Sequence, residues 1–300
     1  MIARLARYVA GSYPPAMSVS IALLWAYGVS GLFALCDPRG AAWRPDAATA
    51  LAALTLAVDL LLMRMIDDLR DLDYDRIHEP QRPLARGAVR AADLGWAYAL
   101  LSLGLVALNW GHAGLPILIA QLLYALLVLF VYRRWRWPDG DKLVLSLLIS
   151  CPGQLLLHLY LYAGYLASAG HGPDGYGLLA LAVVFCASLH PELAKKIVRE
   201  PAPGQRSYVR TFGLRGTVAA AMGFAALSTA LLLAPLASRW AAPGLLLLAA
   251  PLALPLAALI RFGRPEPRWR AKYALWYLLA SFASYAIGGA LLASRHGQWP

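Results

Sequence analysis

LAALTLAVDLLLMRMIDDLRDLDYD, residues 51–75, passes from an apolar run of helix length into a dense acidic cluster. The apolar half shows no period-two alternation, so it reads as a helix and not as a barrel strand. Similar runs recur along the chain, at 15–35, 46–66, 92–110, 113–132, 143–165, 176–191, 216–236, 243–260 and 273–293. Each is close to the roughly 20 apolar residues that a transmembrane helix needs. Of the 300 residues 60% are hydrophobic and 14% are charged. A soluble domain carries about 45–50% apolar and about 25% charged residues, and disorder needs low hydrophobicity, so both classes are excluded. The expected fold is all-α: a polytopic membrane protein with nine transmembrane helices bundled around a central cavity, over residues 1–300 as one integral-membrane domain.

The net charge of +11 could suggest nucleic acid. Its distribution argues otherwise. With nine spans, 23 of the 27 Lys and Arg fall on the side that holds the N-terminus, leaving Arg39, Arg44, Arg239 and Arg295 on the other. The positive-inside rule then puts the N-terminus in the cytoplasm, and no nucleic-acid partner is expected. Cys36, Cys151 and Cys186 show no paired spacing, and each reads as a small apolar packing residue. MIARLARYVAGSYPPAM at the start lacks the form of a cleavable signal peptide.

Five of the 16 acids lie in DDLRDLDYD, residues 67–75. On a continuous helix Asp68, Asp71 and Asp75 share one face, with Asp67 at its border and Asp73 elsewhere. Like charges on one face repel, unless a divalent cation joins them. Mg²⁺ takes oxygen ligands and usually binds through one or two carboxylates plus substrate phosphates. The bland alternative is a solvated acidic loop paired with Arg70 and Arg76.

MRMIDDLRDLDYDRIHEPQRPLARG, residues 63–87, resembles the first aspartate-rich motif of the UbiA superfamily of intramembrane prenyltransferases. The family pattern is N-D-x-x-D-x-x-x-D followed by R-P-L and a glycine. Asp68, Asp71 and Asp75 match its aspartates, Arg82, Pro83 and Leu84 match R-P-L, and Asp67 replaces the asparagine. The second family motif is degenerate here. In LHPELAKKIVREPAPGQRSYVRTFG, residues 189–213, Glu192 stands for its first aspartate, and Lys195, Lys196 and Ile197 occupy the place of the next. Glu192, Lys196 and Arg199 share one face at helical spacing.

The resemblance implies Mg²⁺ held by Asp67, Asp68, Asp71, Asp75 and Glu192, the last four being the catalytic set. It also implies an isoprenyl diphosphate substrate gripped by Arg64, Arg82, Lys142, Lys195, Lys196 and Arg199, with Arg133 and Arg134 as further basic candidates. Lysine and arginine bind phosphate oxygens directly, so the second-motif cations could stand in for a second ion. Arg64 and the deeper Asp59 are ionisable residues within an apolar run and are expected to face a cavity or a partner. Tyr208, His158 and Tyr162 are candidates for steadying a carbocation or orienting an acceptor; Tyr160 and His190 are weaker ones. The expected reaction is transfer of a prenyl group to a small aromatic or lipophilic acceptor, in a bacterial inner membrane with the active-site loops cytoplasmic. Two alternatives stand beside it: a membrane terpene cyclase of the same superfamily, and a non-catalytic lipid or anion transporter.

Overall fold

The computed structural model describes residues 1–39, 43, 45–138 and 142–295. The chain is all-helical there, apart from one isolated antiparallel bridge between Val198 and Arg268. A short amphipathic helix, α1 (Ile2–Ser12), precedes the bundle. The first five spans are α2 (Pro15–Cys36), α3 (Ala47–Arg70), α5 (Ala91–Leu108), α6 (Leu115–Trp135) and α7 (Leu143–Ala169), and a short α4 (Leu72–His78) follows α3. Then come α8 (Gly175–Ala194), α9 (Val209–Leu236), α10 (Ala242–Ala249), α11 (Ala253–Phe262) and α12 (Ala271–Arg295). Among the described residues nine segments are long and apolar enough to cross a membrane, with α10 and α11 forming the eighth. That matches the nine runs expected from the sequence. The eighth span is divided by a 3₁₀ turn over Ala250–Leu252, where Pro251 interrupts the α-helical hydrogen bonds.

Local signals set the helix starts. Asp46 caps α3 by accepting the Thr49 amide at 2.8 Å, and Asp174 caps α8 by accepting the Gly177 amide at 2.9 Å. Helices run past the apolar windows wherever charged residues can reach the interface. Thus α3 continues through Ile66 to Arg70, and α9 begins at Val209, several residues ahead of the run read from the sequence. Gly213, at φ 70° and ψ 167°, bends α9 near its start.

The bundle is tightest between α2 and α12. A Cβ on Gly28 would lie 2.5 Å from the Phe282 carbonyl oxygen, and one on Gly31 would lie 2.6 Å from that of Tyr285. Glycines let the two backbones touch, the usual solution where lipid offers no hydrophobic drive for helix association. This seam places Trp25, Phe33 and Phe282 in the core.

Candidate active site

The acidic cluster does not form one continuous helical face. Asp71 ends α3 and opens α4, with φ −91° and ψ 7°, so the chain bends within the motif. Two separate charge networks result. In the first, Asp68 and Asp75 are buried, only 1% and 3% exposed. Asp68 Oδ1 lies 2.8 Å from Arg64 Nη2 and 3.5 Å from Arg82 Nη1, and Arg82 Nη1 lies 2.8 Å from Asp75 Oδ2. The Tyr8 hydroxyl donates to Asp68 Oδ2 at 2.9 Å. Burial pushes the Asp75 carboxyl up, against the opposing pull of Arg82.

The second network faces a cavity. Arg70 bridges Asp67 at 3.1 Å and Asp71 at 3.4 Å, and Arg206 reaches Asp71 at 3.1 Å from the loop after α8. The Arg206 guanidinium also stacks 4.1 Å from the Tyr74 ring centroid. Against the raising effect of burial, Arg70 and Arg206 hold the Asp71 carboxyl below the usual carboxylate range. Across the cavity Glu192 pairs with Lys195 and, at 3.2 Å, with Lys196. Lys196 Nζ sits 5.2 Å from the Tyr208 ring centroid. Burial lowers the Lys196 ammonium, Glu192 opposing, and burial together with the Glu192 charge raises the Tyr208 phenol.

The cavity holds about 360 Å³. Arg64, Asp67, Arg70, Asp71, Arg82, Glu192, Lys195, Lys196 and Tyr208 line it, together with Ser146, Ser150, Cys151 and Gln154 of α7 and with Leu143, Leu147 and Leu189. A narrower crevice of about 80 Å³ shares Asp67, Arg70 and Ser150 with it. Its other walls are mainly apolar: Met63, Ile66, Tyr124, Ala125, Val128, Ile149 and Gly153. A polar chamber thus adjoins an apolar slot between α3, α6 and α7.

The arrangement places the residues read from the sequence in different surroundings. Of the five acids expected to hold metal, Asp67, Asp71 and Glu192 line the cavity and Asp68 and Asp75 do not, and among the described residues no three His, Cys, Asp or Glu side chains cluster closely. Arginines stand between the acids, because that relieves the like-charge repulsion of DDLRDLDYD. Asp68 and Asp75 therefore lie behind Arg64 and Arg82, while Asp67, Asp71 and Glu192 reach the cavity.

Arg199 is turned away. Helix α8 ends at Ala194, so the expected face through Glu192, Lys196 and Arg199 is broken. The Arg199 guanidinium instead donates to the carbonyls of Phe262, Glu266 and Arg264, the last two at 2.8 Å and 3.0 Å, and stacks on Phe262. Lys142, exposed just before α7, is not among the lining residues. Arg133 lines a separate surface cavity with Arg136.

His158 is fully buried, 5.4 Å from Trp25, because its face of α7 turns toward α2. Tyr162 lies at the other end of α7, its hydroxyl accepting from the Asp174 amide at 3.3 Å. Tyr160 donates to Asn109 at 2.7 Å, and His190 Nδ1 pairs with the Ala221 carbonyl at 2.8 Å. Asp59 is buried with neither carboxylate oxygen hydrogen-bonded, away from the cavity.

Three residues join the site that sequence reasoning did not select. Arg70 was visible only as a counter-charge. Arg206 lies 135 positions from Asp71 and Tyr8 60 positions from Asp68, so no local spacing marks either contact.

No family model matches the chain. The digeranylgeranylglyceryl phosphate synthase of Methanoculleus marisnigri is 27% identical to it over 197 residues, which are 63% of this chain and 67% of that protein. A solved structure described as giving structural and mechanistic insights into the biosynthesis of digeranylgeranylglyceryl phosphate synthase in membranes superposes with a TM-score of 0.56. It is 16% identical, and the match covers 95% of this chain and 98% of that one. The nine candidate spans among the described residues, the D-D-x-x-D-x-x-x-D motif with its R-P-L tail and the curated relative converge on one likeness: the chain is similar to the UbiA superfamily of intramembrane prenyltransferases, and it shares the fold of the solved synthase.

Proposed function

We propose that this prenyltransferase ionises an allylic isoprenyl diphosphate in the 360 Å³ cavity and passes the prenyl group to a lipophilic acceptor. The observation that carries the reading is the pairing of a cation-rich chamber with an adjoining apolar crevice. Arg64, Arg82, Lys195 and Lys196 would grip the diphosphate oxygens by charge-assisted hydrogen bonds. Arg206, beside Asp71, adds positive charge from the opposite loop.

As the allylic C–O bond breaks, its electron pair leaves on the diphosphate, where these fixed cations stabilise the growing charge. The acceptor's nucleophilic atom then bonds to the allylic carbon and loses its proton. Apolar walls keep water from the cation in the meantime. Met63, Ile66, Ala125, Val128 and Ile149 would take the isoprenoid tail.

The donor set fits one divalent cation more readily than two. Asp67 and Asp71 flank Arg70 on one wall and Glu192 stands on the other, whereas Asp68 and Asp75 are buried and do not line the cavity. Asp67 and Asp71, with phosphate oxygens, would hold Mg²⁺, which would add positive charge beside the leaving group. The curated relative is named for making digeranylgeranylglyceryl phosphate, so a glyceryl phosphate lipid is the first acceptor to test here.

The experiment supplies the purified chain with geranyl, farnesyl and geranylgeranyl diphosphates, with and without a lipid acceptor. Diphosphate release and product mass are followed. A prenylated acceptor is expected. Absence of diphosphate release from every allylic substrate would sink the enzymatic reading, and a cyclic product formed without acceptor would replace transfer by cyclisation.

A further inference from the structure

Helix α1 carries Leu5, Tyr8 and Val9 on one side, and these pack against the core. Arg4 ties α1 to the bundle through two bonds to the Asp93 carboxylate, at 2.7 Å and 2.8 Å. At its end Gly11 lies so close to the R-P-L turn that a Cβ there would fall 2.8 Å from Pro83 Cγ. A segment outside the membrane spans is therefore docked by three contacts, one to α5 through Arg4 and two, through Tyr8 and Gly11, to the aspartate motif and its R-P-L tail. Tyr8 is the most buried of them, fully shielded from solvent, and its hydroxyl reaches Asp68 Oδ2 at 2.9 Å.

We propose that Tyr8 is a positioning residue: its hydroxyl orients the Asp68 carboxylate, which in turn aims Arg64 and Arg82 into the cavity. This rests on the diphosphate reading above. The geometry is a relay in which each link has a distinct job. Asp68 Oδ2 takes the tyrosine proton donor, leaving Oδ1 for Arg64 at 2.8 Å and Arg82 at 3.5 Å. A hydrogen bond to a buried carboxylate is roughly twice as strong as a neutral one, and it fixes the rotation of the carboxylate plane. Without the hydroxyl, Oδ2 would be left in a buried site with no donor. The carboxylate would turn to recruit an arginine, and the guanidinium groups would leave the directions a diphosphate needs. Arg82 retains Asp75 at 2.8 Å, so the loss would be graded and not total.

The test measures binding of inorganic diphosphate with Mg²⁺ to the full chain in lipid nanodiscs, by calorimetry. Wild type, Tyr8→Phe, Asp68→Asn and the double variant are compared, with a thermal midpoint for each. Phenylalanine keeps the buried ring, so packing is preserved. Tyr8→Phe should weaken diphosphate binding about tenfold, with a midpoint shift of no more than about 4 °C. On the Asp68→Asn background it should add almost nothing, as expected of a residue that acts through Asp68. Wild-type affinity in Tyr8→Phe, or an equal loss on both backgrounds, would overturn the positioning role alone. A wild-type chain that binds no diphosphate would overturn this role and the functional reading together.

Discussion

At the residue scale, the acids of the aspartate motif take different places. Asp71 faces the cavity between Arg70 and Arg206, whereas Asp68 and Asp75 sit behind arginines. Asp71→Ala should therefore cut turnover by about 100-fold or more, because it removes a carboxylate proposed to hold the Mg²⁺ that stabilises the leaving group. Diphosphate release by the purified variant, with an unchanged thermal midpoint, would check this. Arg206 is held by both a carboxylate and the Tyr74 ring. Arg206→Lys keeps the charge but loses the planar stack, so it should recover only part of the diphosphate affinity lost in Arg206→Ala. Equal affinity of the lysine variant and wild type would count against any role for the stack.

Elements explain where these residues come from. The loop after α8 brings Arg206 to Asp71, and α1 brings Tyr8 to Asp68. At the other end of the bundle Asp37 follows α2 and is 3% exposed. Arg39 donates to it through Nε and Nη2 at 2.8 Å and 2.9 Å, and Tyr165 of α7 donates at 3.1 Å. Arg39 also meets Asp174, the cap of α8, at 2.6 Å.

Burial alone would raise the Asp37 carboxyl, but Arg39 and Tyr165 hold it below the usual carboxylate range. A lowered folded value means stability that is present above about pH 4 and lost as pH falls through the folded value. Asp37→Asn should cost about 1–3 kcal/mol at neutral pH and flatten the acid limb of the stability curve. Thermal midpoints of both proteins between pH 7 and acid would show it; parallel curves would count against the linkage. The α2–α12 seam is equally specific. Gly28→Val drives a side chain into the Phe282 backbone and should abolish the folded monodisperse species, seen by gel filtration in detergent.

For the whole molecule, the nine candidate spans among the described residues predict that the motif loops and the N-terminus share one side. The charge asymmetry predicts that this side is cytoplasmic. An impermeant thiol reagent applied to whole cells should label Gly172→Cys, in the exposed loop between α7 and α8, above the native cysteine background. It should spare Ala202→Cys until the cells are opened. The reverse pattern would invert the assigned orientation.

The helix count, the apolar class and the location of the acidic motif were legible along the chain, because each depends on residues close in sequence. Apolar length reports a span whatever it packs against, and D-x-x-D spacing with an R-P-L tail is a local pattern. The roles inside the motif were not legible. Periodicity assumes an unbroken helix, and it put Asp68, Asp71 and Asp75 on one face. The bend at Asp71, and arginines arriving from within and beyond the motif, separated them. Likewise Glu192, Lys195 and Lys196 were read correctly as neighbours of one another, but Arg199 was carried off by carbonyls some 65 residues away. Local patterning reports which groups are available near the membrane surface. Only packing selects which charges meet, because a buried ion finds whichever counter-charge the fold brings within about 4 Å, irrespective of its place in the chain.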